Sequence, residues 1–440
     1  MKEWNQESAV EKGMEVWGAN GKDIDEVFFA KCFLEDHPMK CTEGRLFTIN
    51  GAVQDEDRVR RAIMKELAPV ARRHAPKTVE NILGTIKLLC MVGQVYYTLG
   101  QIHLANGTVE LPWAFTEEKS FCLNRLPVNM NIHATCDKWE AFLRDLLEEE
   151  DIPTLQQYLG YCLIPTNKAQ KMMILVGKGG EGKSVLGQVL QKLFGNNLYT
   201  GSIQKIETDR FARANLQYKL LMIDDDLKLE ALPQTNNIKT LVTLEGRTDL
   251  EKKGKQSYQG TVYCRFLCFG NGPLSALYDR TYGFYRRQLI LKVKERDTNR
   301  VDNPFLVEDL EEELEGIFLW CLAGLNELVD NQFKFTVSER TKRNMEAAMR
   351  EGNNLLDFLE SDGYIRFEEK AAAPSREICR AYRAWCMDNS LRPLSDRTVL
   401  NYLKENQESL NLRYTTHTPG CPNRSVRGFQ GIQVLSTMYI

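Results

Sequence analysis

Short, continuous apolar runs alternate with longer polar or amphipathic stretches along the middle of the chain. The runs occupy residues 172–176, 220–223, 263–269 and 288–293. Apolar runs of this length are typical of strands that are buried on both faces, and the intervening stretches are long enough for helices. The pattern therefore predicts an α/β core, built on a mostly parallel sheet with helices on both faces.

The flanks of this core show helical periodicity instead. Apolar residues at helical spacing predict helices within residues 59–71, 79–89, 137–165, 311–329 and 337–351. Asn106-Gly107 lies between two alternating runs and predicts a two-residue hairpin turn. We therefore expect an N-terminal domain of helices and short strands before the core, and a helical lid or linker after it.

The last part of the chain has a third pattern. After about residue 352, three helical patterns precede a hairpin-like segment, and Ser375 and Ser395 are placed to cap the last two helices. Helices followed by a hairpin suggest a winged helix-turn-helix. The expected segments are a polar lead-in (1–24), an N-terminal α+β/helical domain (25–150), the α/β core (151–300), a helical lid or linker (301–351) and a winged-helix-like domain (352–440).

Composition narrows the class of protein. The 440 residues carry a formal net charge of −3, so any contact with nucleic acid must come from local basic patches. The 12 cysteines include no C-x-x-C pair, and the polar N-terminus lacks the apolar stretch of a signal peptide. No apolar run reaches the ~18 residues of a membrane span. We therefore expect a cytoplasmic protein with reduced thiols and no membrane partner.

The most specific motif follows the first apolar run. A glycine-rich loop ends in Gly182-Lys183-Ser184 and opens into an amphipathic pattern, which matches G-x-x-x-x-G-K-[ST]. Glycines let backbone N–H groups surround phosphates, and a helix N-terminus adds partial positive charge. Lys183 can then reach the β- and γ-phosphates, and the Ser184 hydroxyl can ligate Mg²⁺. The motif predicts binding and hydrolysis of a nucleoside triphosphate.

The same glycines allow one other interpretation. Gly177, Gly179 and Gly182 also spell G-x-G-x-x-G, the dinucleotide-binding fingerprint. That site needs an acidic residue about 20 positions later, at the end of the second strand. Residues 197–205 contain no acid, so the phosphate loop is the favoured interpretation.

Two polar strand ends follow the loop. The run 220–223 leads into Asp224, Asp225 and Asp226, where one carboxylate can hold Mg²⁺ and a second can polarise the attacking water. The next strand-like run ends at Asn271, whose amide can hold the lytic water or the γ-phosphate. Each motif alone also fits an ordinary polar turn, but their order after the phosphate loop favours the nucleotide role.

Arg286 and Arg287 stand just before the last apolar run. A guanidinium that contacts a γ-phosphate is the arginine-finger device, which a neighbouring subunit often supplies. A solvated pair at a strand start is the alternative interpretation.

A lysine-rich stretch, residues 245–259, lies between the aspartates and Asn271. Its basic residues near Gly254 are Arg247, Lys252, Lys253 and Lys255. A hairpin that projects lysines into a channel would hold a nucleic-acid backbone without reading its sequence. An exposed, lysine-rich turn fits the residues equally well.

Together these motifs resemble a superfamily 3 helicase of the AAA+ class. The order GKGGEGKS, LLMIDDD, EGRTDLEKKGKQS, FLCFGNG and FYRRQLIL is similar to the C-terminal helicase region of phage and plasmid primase-helicases, most specifically over residues 171–293. The resemblance implies an AAA+ P-loop core between an N-terminal helical domain and a C-terminal winged-helix domain. Many relatives carry an upstream primase domain, for which residues 1–24 leave no room, so we expect no primer synthesis.

Carried over by position, the resemblance assigns a role to each motif. The triphosphate-binding residues are Gly177, Lys178, Gly179, Gly180, Glu181, Gly182, Lys183, Ser184 and Val185. The catalytic residues are Lys183, Asp224, Asp225, Asn271, Arg286 and Arg287, and Ser184 and Asp224 are the Mg²⁺ ligands. The DNA contacts are Arg247, Lys252, Lys253 and Lys255. Which aspartate is the base and which arginine is the finger stay open.

The function that this resemblance implies is an ATP-dependent DNA helicase or translocase that replicates a phage, plasmid or other mobile element. Its cofactors would be ATP and Mg²⁺, and it would act in the bacterial cytoplasm as a hexameric ring around single-stranded DNA, with a separate primase as a further candidate partner. The alternative is an AAA+ initiator, loader or remodelling ATPase that does not unwind DNA. Residues 372–440 carry nine basic and five acidic residues, which suits duplex binding; a subunit-contact domain is an equal alternative.

Overall fold

The structure is a computed structural model. It describes residues 24–435 apart from short stretches, and the residues that it does not describe are 1–23, 70–73, 94–99, 113, 229–231, 233, 255, 277–281, 297–300, 302, 353, 392, 420–425 and 436–440. The described residues form two compact units. The first holds those up to Leu274 and those within Arg286–Lys342, and the second holds those within Ser275–Tyr285 and those from Arg343 onwards. None of the described helices is long and apolar enough to cross a membrane.

The first unit begins with a small α+β region. Its helices are α1 (Glu26–Asp36), α2 (Glu56–Leu67) and α3 (Ala75–Leu89). Its strands form two antiparallel sheets of three strands each. The first sheet consists of β1 (Lys40–Thr42), β2 (Arg45–Thr48) and β3 (Gly51–Ala52), and the second of β4 (Gln101–Leu104), β5 (Gly107–Glu110) and β6 (Ala114–Thr116). Asp25 and Asp55 cap α1 and α2 by accepting backbone N–H groups of the first turn. Phe33, Ile63 and Leu83 lie in the apolar core that the three helices share.

A parallel sheet of five strands forms the centre of the first unit. Its strands are β7 (Met172–Val176), β8 (Leu198–Thr200), β9 (Leu221–Leu227), β12 (Arg265–Gly270) and β13 (Gln288–Lys292), in the order β13-β7-β12-β9-β8. All six residues of β12 are buried, since both faces of the sheet are covered. The α/β core predicted from the apolar runs is therefore confirmed, and the three-residue strand β8 is an addition to it.

Helices and one hairpin connect and cover these strands. The helices are α4 (Asp137–Leu146), α5 (Ile152–Tyr161), α6 (Lys183–Phe194), α7 (Ile203–Thr208), α8 (Arg210–Arg213), α9 (Asn236–Thr243), α11 (Leu306–Glu311) and α12 (Leu314–Asp330). Helix α13 (Glu339–Gly352) begins in the first unit and continues in the second. The hairpin consists of β10 (Arg247–Leu250) and β11 (Tyr258–Thr261). Helix α12 packs along α5, where Gln156 Nε2 donates to the carbonyl oxygen of Trp320 at 2.9 Å.

The second unit has its own apolar core. Its elements are α10 (Tyr282–Tyr285), α14 (Leu355–Glu360), β14 (Ile365–Pro374), α15 (Ser375–Asp388), α16 (Asp396–Glu405), β15 (Arg413–Thr415) and β16 (Gly428–Val434). The strands form an antiparallel sheet in the order β14-β16-β15. Phe358, Tyr382, Leu403 and Phe429 are fully buried between this sheet and the helices.

The two caps predicted for this unit have different outcomes. The hydroxyl of Ser395 accepts the N–H of Thr398 at 3.2 Å, so Ser395 caps α16 as predicted. The prediction for Ser375 is wrong, because α15 begins at Ser375 itself and Pro374 occupies the cap position. The N–H of Ser375 instead donates to the carbonyl oxygen of Arg427 at 2.9 Å, which joins the helix start to the sheet.

Candidate functional site

The loop between β7 and α6 is shaped by its glycines. Gly179, Gly180 and Gly182 have φ values of +117°, +82° and +117°. This left-handed region is strained for residues with a Cβ atom, which is the reason for glycine at these positions. The loop turns the chain from the end of β7 into the first turn of α6, so its backbone lies at a helix N-terminus that favours anions.

Gly177 is required for a different reason, which is close packing. A Cβ atom there would lie 2.2 Å from Cγ2 of Val293 and 2.9 Å from Nζ of Lys183. Both distances are shorter than van der Waals contact permits. The missing side chain therefore leaves room for the Lys183 ammonium group above the end of β7.

Lys183 forms an ion pair inside the loop. Its Nζ lies 2.7 Å from Oε2 of Glu181, and the backbone N–H of Gly179 donates to Oε1 of Glu181 at 2.8 Å. Burial alone would raise the pKa of Glu181, but the hydrogen bonds from Lys183 and from the backbone outweigh it and hold that pKa below its ordinary value. The carboxylate of Glu181 thus engages the same two groups that a phosphate in this loop would use.

The remaining loop residues are more open. The side chains of Lys178 and Ser184 are exposed, and Val185 is half-buried. Lys178 forms an ion pair of 2.6 Å with Glu295, which follows β13. The Ser184 hydroxyl is a hard oxygen donor on the first turn of α6, which suits a magnesium ligand.

The three aspartates of β9 face different surroundings. Asp224 is buried, and its Oδ2 accepts the N–H of Ile203 at the start of α7 at 2.7 Å. Burial raises the pKa of Asp224, although the N–H groups of Ile203 and Asp226 act in the opposite direction. Asp225 and Asp226 are exposed.

Asp225 is the aspartate that lies beside the helix of the phosphate loop. Its Oδ1 is 3.9 Å from the position that a Cβ atom on Gly187 of α6 would take. Gly187 lies about one helical turn after Ser184 on α6. The Asp225 carboxylate therefore lies beside the helix that carries the Ser184 hydroxyl. The Mg²⁺ role predicted for Asp224 stays a prediction, and Asp225 has the more suitable position.

Asn271 lies where the sequence pattern expected a polar strand end. It directly follows β12, which lies between β7 and β9 in the sheet, so Asn271 is at the same edge as the phosphate loop and the aspartates. The Asn271 side chain is exposed and lines a cavity of about 470 Å³ together with the loop. The carboxyl edge of a parallel sheet is the usual place for such a site.

That cavity also contains residues that no motif indicated. Its lining residues are Glu148, Val176, Gly177, Lys178, Glu181, Asn271, Lys292, Val293, Lys294, Glu295 and Arg340. Lys292 is the last residue of β13 and Lys294 follows two residues later, so the sequence could have placed both at this edge of the sheet. Arg340 and Glu148 lie on distant segments, and nothing in the local sequence marks either of them.

Arg340 is held at the cavity by carboxylates rather than by apolar packing. Its Nη1 lies 3.4 Å from Oε1 of Glu148, and its Nε lies 3.5 Å from Oδ2 of Asp151. Asp151 is fully buried and also accepts the hydroxyl of Thr341 at 2.7 Å, which fixes the start of α13. The guanidinium is therefore positioned beside the phosphate loop of its own chain.

Arg286 and Arg287 lie at the opposite end of the sheet. They precede β13, whose first residue Gln288 pairs with Met172, the first residue of β7. The phosphate loop begins only after the last pair of these strands, Lys292 with Val176. The structure therefore does not bring the arginine pair together with its own loop.

The lysine-rich stretch forms the β10–β11 hairpin, and its tip is exposed. Lys252 lies over the Tyr258 ring at 5.3 Å and Lys253 extends into solvent. Arg247, at the base of the hairpin, forms an ion pair of 2.5 Å with Glu43. Lys255 lies outside the described residues. The hairpin thus presents lysines at its tip, while the predicted DNA contact Arg247 has a carboxylate partner.

Comparisons with known proteins give a fold and a partial family match. A family model described as "Family of unknown function (DUF5906)" matches residues 175–287, the segment from the phosphate loop to the arginine pair. Among curated proteins, none matches the chain significantly. Three apo structures of the NrS-1 C terminal region, two of them an A form, are similar, with TM-scores of 0.52, 0.50 and 0.51 at 11%, 12% and 11% identity. The matches cover 92%, 92% and 93% of this chain and 99%, 100% and 100% of those chains. At this level of identity the likeness establishes a common fold.

Proposed function

We propose that this chain is an ATP-hydrolysing DNA translocase of the superfamily 3 helicase type. The observation that carries the proposal is the edge of the central sheet where the phosphate loop, Asn271 and Asp225 lie together. The strand β12 lies between the loop strand and the aspartate strand, so the three groups follow neighbouring strands at one edge of the sheet. The similar fold of the NrS-1 C terminal region is consistent with this assignment.

The residues present fit a nucleotide with Mg²⁺. Gly177 leaves a space that a Cβ atom would fill, and the exposed Ser184 hydroxyl and Asp225 carboxylate are oxygen donors of the kind that Mg²⁺ prefers. Mg²⁺ held by them would offset the charge of the phosphates. Lys183 would exchange the Glu181 carboxylate for a phosphate, and the Asn271 amide would orient the attacking water by hydrogen bonds.

The arginine pair supports an assembly in which subunits share sites. Gly177 is six residues beyond Lys171 along an extended strand, about 20 Å away. Arg286 and Arg287 adjoin Lys171, so neither side chain reaches the phosphates bound by its own chain. We assign the finger role to a neighbouring copy, which makes hydrolysis depend on assembly, and we propose a hexameric ring as the assembly.

The hairpin tip is the proposed contact to single-stranded DNA. Lys252 and Lys253 are exposed there, whereas the pairing of Arg247 with Glu43 suits a role in positioning the hairpin. Lysine ammonium groups bind phosphates without reading bases. A protein-remodelling ATPase would not need these lysines, so they separate the two functions under consideration.

We propose that the second unit binds duplex DNA. From α14 onwards the described elements follow the order helix-strand-helix-helix-strand-strand, which supports the proposal of a winged helix-turn-helix. Arg397, Asn401 and Lys404 are exposed at helical spacing on α16. Replacing all three with alanine should weaken duplex binding and reduce its salt dependence. Unchanged duplex binding by this variant would favour the alternative, in which the unit contacts a neighbouring subunit.

The central test is ATP hydrolysis with fork unwinding by the purified protein. Lys183→Ala should abolish both, because the loop loses the ammonium group that stabilises charge on the phosphates. Lys192→Ala is the matched control, since Lys192 lies on the same helix and pairs with Glu311 on the surface. Hydrolysis by Lys183→Ala at the rate of the control would contradict the proposal.

A second test separates a translocase from a remodelling ATPase. Lys252→Ala with Lys253→Ala should remove the stimulation of hydrolysis by single-stranded DNA and leave the basal rate unchanged. Stimulation that persists in this variant would favour the remodelling function.

A further inference from the structure

A carboxylate of the N-terminal α+β region contacts the base of the β10–β11 hairpin. Glu43 lies in the two-residue turn between β1 and β2, and its side chain is only 16% exposed. Its Oε1 lies 2.5 Å from Nη2 of Arg247, the first residue of β10. Glu43 therefore holds one strand of the hairpin directly, although the two residues are far apart in the sequence.

The same carboxylate reaches the other strand through a buried amide. Oε2 of Glu43 accepts the side-chain N–H of Gln217 at 2.8 Å and the hydroxyl of Tyr218 at 2.5 Å. Oε1 of Gln217 in turn accepts the hydroxyl of Tyr258, the first residue of β11, at 2.9 Å. Both strands of the hairpin are thus joined to one carboxylate.

The hairpin leaves room for this amide. A Cβ atom on Gly260 of β11 would lie 2.9 Å from Nε2 of Gln217 and 2.5 Å from Cδ1 of Leu250. A side chain at this position would therefore push the amide away. Only 1% of Gln217 is exposed, and a buried amide that loses a partner destabilises the structure. The network accordingly favours one orientation of the hairpin base.

The network continues towards the hairpin tip. Nζ of Lys252 lies over the ring of Tyr258 at 5.3 Å, so the residue that anchors β11 also supports a tip lysine. Lys252 and Lys253, the two tip lysines, are the proposed contacts to single-stranded DNA. Cations that are held in place before DNA arrives lose less conformational freedom when they bind it.

We infer that Glu43 is a positioning residue for single-stranded DNA, because it holds both strands of the hairpin and so presents the tip lysines in one arrangement. This inference rests on the proposed function and gives the N-terminal region a part in DNA binding. Its consequence has a distinctive sign. Removing a negative charge near a nucleic-acid site ordinarily strengthens binding, whereas removing Glu43 weakens it.

The test is binding of a fluorescent oligothymidylate to the purified natural and Glu43→Ala chains at one salt concentration. The Kd of Glu43→Ala should be about fivefold higher, because the tip lysines are no longer held in one arrangement. Stimulation of ATP hydrolysis should need correspondingly more DNA. The basal rate of hydrolysis should equal that of the natural chain, which excludes misfolding of the core.

Three further variants make the result specific. Asp249→Asn removes a charge from an exposed residue of the same hairpin, and its Kd should be unchanged or lower. Glu43→Gln keeps one acceptor oxygen and should retain part of the affinity. Tyr258→Phe keeps the ring beneath Lys252 but loses the bond to Gln217. It should weaken DNA binding by the natural chain and have little further effect in Glu43→Ala, because both changes break one network.

Each contrary outcome overturns a particular claim. Glu43→Ala that binds DNA as tightly as Asp249→Asn contradicts the inference, and so does an effect of Tyr258→Phe that adds in full to that of Glu43→Ala. A loss of basal hydrolysis in both Glu43→Ala and Glu43→Gln also contradicts it, since Glu43 would then support the fold as a whole. Normal DNA binding by Lys252→Ala with Lys253→Ala refutes the proposed DNA contact itself, so the two failures are distinguishable.

Discussion

The ammonium group of Lys183 lies 2.7 Å from the carboxylate of Glu181, and only 10% and 5% of these two side chains are exposed. The pair neutralises two charges that would otherwise be desolvated inside the phosphate loop. It also means that a phosphate entering the loop competes with a carboxylate for Lys183. Under the proposed function, Glu181 would therefore stabilise the loop and weaken nucleotide binding at the same time.

Replacing Glu181 with glutamine should separate these two effects. Without nucleotide, the variant should lose about 1–3 kcal/mol of stability, because Lys183 is left buried without a counter-charge. With nucleotide, its affinity for ADP or ATP should rise several-fold, since no carboxylate has to be displaced. Denaturant unfolding and titration with a fluorescent ADP analogue measure the two quantities.

Glu295→Gln is the control for this prediction. Glu295 forms a pair with Lys178, but both side chains are largely exposed, so the stability change should stay within about 0.5 kcal/mol. Weaker nucleotide binding by Glu181→Gln than by the natural chain would show that Glu181 supports the bound state instead.

The aspartates of β9 give a second prediction. Asp225→Asn should reduce hydrolysis by at least tenfold with little change in stability, because its carboxylate is exposed beside α6. Asp224→Ala should behave in the opposite way and lose about 1–3 kcal/mol of stability, because the buried N–H of Ile203 loses its acceptor. ATPase rates and urea denaturation of the two variants test the assignment. A stable, inactive Asp224→Ala would return the Mg²⁺ role to Asp224.

Arg340 provides a third prediction. Its guanidinium lines the cavity beside the loop of its own chain, so Arg340→Ala should raise the KM for ATP or lower kcat by about tenfold. Arg343→Ala is the matched control, because Arg343 lies on the same helix and is exposed. In the proposed site Lys183 and Arg340 belong to the same chain, so mixing their alanine variants should restore no activity. Restoration on mixing would place Arg340 at a neighbour's site.

Much of the core could be predicted from the sequence, because local pattern determines it. The apolar runs gave β7, β9, β12 and β13, and the glycine spacing gave the loop. Strand β8 was missed because Leu198–Thr200 is too short to show a pattern. The hairpin predicted at Asn106-Gly107 exists, but its turn is one residue earlier, since Gly107 already pairs with Leu104.

The candidate site was harder to predict from the sequence than the core, because residues that are distant in the sequence complete it. Strand alternation places Asp224 and Asp225 on opposite faces, yet only the observed position of α6 shows which of them faces the loop helix. Arg340 follows the loop by a long stretch of chain and belongs to no motif. Glu181 occupied a variable position of the loop motif, so its ion pair with Lys183 had no sequence signal.

The pH dependence of stability tests the charge cluster that Lys171 forms with Arg286 and Arg287. The pKa of Lys171 is about 8 in the folded chain, against an ordinary lysine value of 10.5, so the unfolded chain binds more protons between these values and stability rises with pH through that window. Lys171→Met removes this dependence and should be more stable than the natural chain at pH 7 by about 1–2 kcal/mol, after allowance for partial exposure. Urea denaturation of both chains at pH 7 and pH 9.5 measures the difference, which should shrink at the higher pH. A difference that is equal at both pH values would mean that the Lys171 ammonium group is well solvated and that the cluster stores no electrostatic cost.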